Sequence, residues 1–207
     1  MHHKLYLDDL IHFFSPIHKV KTKERSGWVK HGIKVPETLG AHTFGAAHLA
    51  WLMANAEGAN SSRAINMVLM NGLLKADLPD LTPASPAYFH LSHLDPNALG
   101  ELAQHLPSLL RTEYQKLFEE YEGGQTLEAQ IATEANKLDT LLQAISYERE
   151  IGRKIAAEFF NTYQDQFKTK TGKQLYQQLK DRSRRGFRLK KVYDVRVEES
   201  ERERTRT

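Results

Sequence analysis

A chain of 207 residues is long enough to bury one substantial core, and its 40% hydrophobic content is too high for a disordered protein. It has no cysteine, which excludes a disulfide framework, a thiolate metal site and a cysteine nucleophile; with no signal peptide or membrane-spanning apolar run, a cytoplasmic protein is expected. The net charge of +3 is uneven: residues 180–207 hold eleven basic and six acidic side chains, net +5, so the rest of the chain is slightly acidic.

Helical periodicity dominates from the start. Leu5, Leu10, Ile11, Phe13 and Phe14 predict a first helix that ends before Pro16. Pro36-Glu37-Thr38 opens a second helix to about Glu57, with Leu39, Phe44, Leu49 and Leu52 expected to face the core. Ser61-Ser62 caps a third, in which Ile65, Val68, Leu69, Leu73 and Leu74 recur at three- and four-residue spacing. It should stop near Asp77, because Pro79, Pro83 and Pro86 follow.

Residues 80–95 read as a loop. Helices are expected over Asn97 to Gln104 and Ser108 to Glu122, the latter ended by Gly123-Gly124. The clearest helix runs from Thr126 to about Arg149, where Leu127, Ile131, Ala135, Leu138, Leu142 and Ile145 form one apolar stripe. Ile155 to Phe167 and Lys173 to Leu179 complete the helical body. Residues 192–197 alternate weakly, as a short strand would, and 198–207 are highly charged.

Four segments carry chemistry in an informative order. They are Arg25-Ser26-Gly27-Trp28, then Pro36 to His42, then Leu74-Lys75-Ala76-Asp77-Leu78-Pro79-Asp80, and finally Glu134-Ala135-Asn136-Lys137-Leu138-Asp139. This order, with Leu117 to Glu122 ahead of the last segment, resembles the HD-domain family of 5'-deoxynucleotidases over about Leu10 to Gln178. The resemblance implies an all-α HD-domain bundle over residues 1–180, followed by a short basic extension over 181–207. It also implies homodimers.

In that family a His, an adjacent His-Asp pair and a distant Asp hold a divalent metal, a donor set that suits such ions and leaves positions open to activate water. Carried over residue by residue, His42 takes the first ligand position and Asp77 the aspartate of the pair. Ala76 stands where the pair's histidine belongs, and Asn136 where the distant aspartate belongs. Alanine offers no donor and asparagine only a neutral carbonyl, whereas catalytic zinc sites keep at least three protein ligands. Asp80, the candidate catalytic carboxylate, stands either for the family's glutamate three positions on or for the aspartate of the following, shortened loop, and either way one carboxylate is missing. Arg25 and Trp28 resemble the phosphate- and nucleoside-contacting pair, and Glu37, an acidic residue in a helix's first turn, is a third substrate-side candidate.

His90 and His93, spaced i and i+3, are candidate replacement ligands. His48 lies six residues after His42, about 240 degrees round a helix, so it cannot share its face and reads as structural. The leading expectation is thus a catalytically degenerate HD protein that binds a nucleotide-like small molecule or acts as a scaffold, with no cofactor. Its rival is an active phosphohydrolase with a rebuilt site, using manganese, cobalt, zinc, magnesium or iron. The basic run from Arg182 to Lys191 supplies a third reading, contact with nucleic acid or an acidic partner, and no membrane contact is expected.

Overall fold

The structure, a computed structural model, describes residues 7–76, 96–104, 106, 108–152 and 154–185. In order these form α1 (Leu7–Thr22), α2 (Ser26–Lys30), α3 (Leu39–Glu57), α4 (Ser61–Leu74), α5 (Pro96–Ala103), α6 (Ser108–Gly123), α7 (Leu127–Ile151), α8 (Ala156–Thr162) and α9 (Lys170–Arg184). The protein is all-α: the one β feature among the described residues is a single antiparallel bridge between Glu24 and Thr38. The expected strand over 192–197 and the expected loop over 80–95 lie outside the described residues.

Three helices, α3, α4 and α7, pack on one another and make the core; α9 and α8 cover α7, α6 lies across α4 and α7, and α1 crosses α3 and α4. Small side chains make this possible. Ala46, Ala50 and Ala54 on α3, Ala64 on α4, and Ala129, Ala132, Ala135 and Ala144 on α7 are wholly buried, so the helix backbones approach closely. Met53, Met67, Met70, Ile131, Leu138 and Leu141 fill the space between them. The stripe expected on α7 is therefore the central wall of the core.

Several boundaries differ from the sequence expectations, each for a local reason. Helix α1 runs through Pro16 to Thr22. Proline removes one backbone donor, a cost of about 3 kcal/mol in a helix interior, and the last turns are held by Val20, which packs with Leu39 and Ala76. Helix α2 was not expected; it is five residues long and follows from Trp28 being drawn into the core. Asn60, not a serine, caps α4, accepting from Arg63 N at 3.1 Å. Helix α8 stops at Thr162 and α9 begins earlier and ends later than expected, with Thr169 as its cap.

The largest departure concerns α3. Leu39 is buried as expected, but Phe44 and Leu52 point outward, because the alanines and Met53 take the inner side. No described helix is long and apolar enough to cross a membrane.

Candidate functional site

The site is built where the start of α3 meets the middle of α7. Two extended segments meet just before α3: Arg25 N donates to Glu37 O at 3.1 Å and Leu39 N to Lys23 O at 2.7 Å. This clamp sets the side chains of Arg25 and Glu37 face to face. Arg25 Nη1 lies 2.7 Å from Glu37 Oε1, with both side chains largely buried. Trp28 Nε1 donates to the same oxygen at 2.9 Å, and the Glu37 backbone N–H reaches the Tyr147 hydroxyl at 2.6 Å. Arg25 also lies over the Trp28 ring at 5.5 Å and approaches Thr140 Oγ1 on α7 at 3.4 Å.

Trp28 itself is only 2% exposed and packs on Tyr147 and Phe159. Its indole supports Glu37 from the core and offers no open face to a nucleoside in this arrangement.

Thr38 caps α3, its hydroxyl accepting from Ala41 N at 3.1 Å, and His42 follows one turn later on the inner face. His42 is 5% exposed, and its Nδ1 lies 2.6 Å from Asp139 Oδ2 on α7. That approach depends on Gly45: a Cβ there would sit 2.1 Å from Asp139 Oδ1. Burial pushes the Asp139 carboxyl up to about 7, against the opposing field of Arg25.

Glu37, His42 and Asp139 present one donor atom each, all within 4.8 Å of one another. One imidazole nitrogen and two carboxylates form a donor set that fits a borderline or hard divalent ion. The fit is incomplete on two counts: Glu37 Oε1 is already shared by Arg25 and Trp28, and Ala76 lies buried with Val20 and Leu39, offering nothing. Lys23 Nζ ties down this corner by donating to the carbonyls of Lys75 and Ala76 at 2.9 and 3.0 Å, fixing the end of α4 immediately before Asp77.

Of the residues singled out by sequence, Arg25, Trp28, Glu37 and His42 come together. Asn136 is on the same helix as Asp139, but its amide donates to Ala132 O at 2.9 Å, and the carboxylate that meets His42 is Asp139, one turn on. Asp77, Asp80, His90 and His93 lie outside the described residues. Sequence reasoning missed Asp139, Thr140 and Tyr147 as site-facing groups, although their spacing from Asn136 of three, four and eleven residues was a signal that α7 shows all four on one side. Gly45 gave no signal of its own.

A family model described as HD domain matches residues 17–183. The chain belongs to the HD-domain family. Among curated proteins it is similar to 5'-deoxynucleotidase HDDC2 of Xenopus laevis, 30% identical over 163 residues, which covers 77% of this chain and 80% of that one. It is also similar to 5'-deoxynucleotidase hdd1 of Schizosaccharomyces pombe, 27% identical over 156 residues, covering 72% and 78%. Among solved structures, a conserved hypothetical protein from Pyrococcus furiosus superposes with a TM-score of 0.63 at 29% identity, covering 84% of this chain and 99% of that one. A predicted metal-dependent phosphohydrolase from Magnetospirillum magnetotacticum superposes with a TM-score of 0.66 at 23% identity, over 88% of this HD-domain chain and 94% of that one, and so shares the fold.

Proposed function

We propose that this HD-domain protein is a metal-dependent phosphohydrolase of small phosphate monoesters, with deoxynucleoside 5'-monophosphates as the substrate class, and that its site is rebuilt around His42 and Asp139. One observation carries the reading. Glu37, His42 and Asp139 converge within 4.8 Å, beside a guanidinium suited to phosphate. The relatives named 5'-deoxynucleotidase supply the substrate class.

On this reading His42, Asp139 and Glu37 would together hold a divalent ion. When bound, such an ion supplies an activated water and stabilises charge that develops on the phosphate. Arg25 orients the phosphoryl oxygens, and Glu37 and Trp28 hold Arg25 in place. Burial holds the Asp139 carboxyl up at about 7, so an ion there would bind in competition with that carboxyl's proton. A cysteine-free chain suits a reducing compartment, and we place the protein in the cytoplasm.

A second reading has its own observation: buried Ala76 donates nothing, and Asn136 spends its amide on its own helix. The pocket would then bind a nucleotide without turning it over. Phosphate release from deoxynucleoside 5'-monophosphates, measured with added manganese or cobalt, decides between them. The first reading expects turnover that Asp139→Asn and His42→Ala abolish, together with loss of bound metal. Nucleotide binding without turnover or metal would establish the second, and neither binding nor turnover would sink both.

A further inference from the structure

Helix α7 borders a cleft of about 230 Å³ that lies between it, the end of α6 and the segment joining α8 to α9. Gln130, Thr133, Glu134 and Lys137 form its wall on α7, at the spacing that puts four side chains on one face of a helix, and Lys168 closes it from the joining segment. Asp139 comes two residues after Lys137, about 200 degrees round the helix, so the cleft and the His42 pair lie on opposite sides of α7. We propose that this cleft is a second site, which binds a compact oxyanion of the phosphate type between the ammonium groups of Lys137 and Lys168. Such binding is independent of any turnover at His42.

The charges favour an anion. Lys137 is half-buried, and its ammonium makes no hydrogen bond or salt bridge among the described residues. The like charge of Lys168 acts on it, and so does the opposite charge of Glu134. That carboxylate is already engaged, because it accepts from Lys168 N, Thr169 N and Thr169 Oγ1. It therefore helps Lys137 through space while leaving the three ammonium donors without an acceptor. An oxyanion would supply acceptors to both lysines and remove the repulsion between them. Glu122 borders the cleft from the end of α6, and its carboxylate works against an anion, which limits the affinity.

The walls are held without a ligand. Gln130 Nε2 donates to the carbonyls of Gly124 and Gln125, both at 3.3 Å, which pins the turn between α6 and α7. Gln166 Nε2 donates to Thr162 O at 2.7 Å. The amide donors are thus spent on backbone, leaving the two ammonium groups and the Thr133 hydroxyl as donors for a ligand. The volume lies below the roughly 300–1,000 Å³ of pockets that take drug-sized ligands, so a single phosphate group suits it better than a nucleotide.

Backbone amide NMR of the full chain, titrated with inorganic phosphate, reads both the affinity and the place of binding. Saturating shifts are expected at Thr133, Lys137, Lys168 and Thr169, beyond those that sodium chloride causes at the same ionic strength. Lys137→Met should raise the dissociation constant for these shifts at least about tenfold. Lys168→Met, at an exposed position where packing is not at stake, should raise it several-fold, and Glu122→Gln should lower it. Phosphate beside Arg25 would report separately, through the amides of Glu37 and His42, so failure of the phosphohydrolase reading leaves this result intact. The amide spectrum of each variant shows whether it is folded. Shifts confined to the surroundings of Arg25, shifts that sodium chloride reproduces, or an affinity unchanged in folded Lys137→Met or Lys168→Met would each overturn the proposal.

Discussion

Gly45 and Asp139 compete for the same volume, and the competition is what makes the His42 pair possible. A methyl at position 45 would lie 2.1 Å from Asp139 Oδ1, so Gly45→Ala must turn the carboxylate away from His42 or push α3 off α7. Alanine would otherwise favour the helix by about 1 kcal/mol. We expect Gly45→Ala to destabilise the protein by about 1–3 kcal/mol in denaturant unfolding. The same change in an Asp139→Ala background should become neutral or stabilising; a destabilisation unchanged by removing Asp139 would mean the carboxylate is not the obstacle. The titration of Asp139 gives a second prediction. Its folded value is raised from 3.8 to about 7, so the folded state holds a proton that the unfolded state has lost. Stability from this group is therefore complete below about pH 4 and declines as pH rises to about 7, beyond which it is constant. The difference in unfolding free energy between the metal-free protein and Asp139→Asn, followed across that range, should show this decline. A flat difference would place the carboxyl in an ordinary, solvated state.

At the scale of elements, one buried carboxylate ties the last two helices to the core. Glu134 on α7 is 2% exposed and accepts from Lys168 N, from Thr169 N at 3.0 Å and from Thr169 Oγ1 at 2.5 Å. Thr169 in turn caps α9 through Gly172 N at 2.9 Å, and only a glycine fits there, since a Cβ would meet Glu134 Oε2 at 1.9 Å. Glu134→Ala leaves three donors without a partner, and we expect a loss of roughly 3–5 kcal/mol, with α9 detaching first in hydrogen exchange. A loss under 1 kcal/mol would show that water replaces the carboxylate freely. The helices themselves were legible because periodicity and glycine stops are local properties, and α7 and α3 begin at Thr126 and Thr38, where the sequence placed their starts. Pro16 and the inside of α3 were not legible. Whether a proline is tolerated depends on what Val20 packs against, and which side of an all-apolar helix is inside depends on its neighbours. The same limit applies to the site. Arg25, Glu37 and His42 were readable as a constellation, but the pairing of His42 with Asp139 rests on a space left by Gly45 on another helix.

For the whole molecule, charge divides the chain near the end of α9. Tyr176 is the last buried residue described, its hydroxyl donating to Phe160 O at 2.8 Å, and Leu175 and Leu179 pack partly on the core. From Ser183 onward the chain carries nine basic and five acidic side chains and few apolar ones, so little of the folding free energy can reside there. Deleting residues 183–207 should leave the melting temperature within a few degrees of the full chain, because the buried residues described end at Tyr176. It should also remove net positive charge and thereby weaken any association with oligonucleotides, with a shallower dependence on salt than the full chain shows. If the truncated protein melts far lower, the basic segment is structural, and the alternating residues 192–197 become the first place to look for the contact. If polyanion binding is unaltered by the deletion, the excess of positive charge near the end of the chain has no part in recognition.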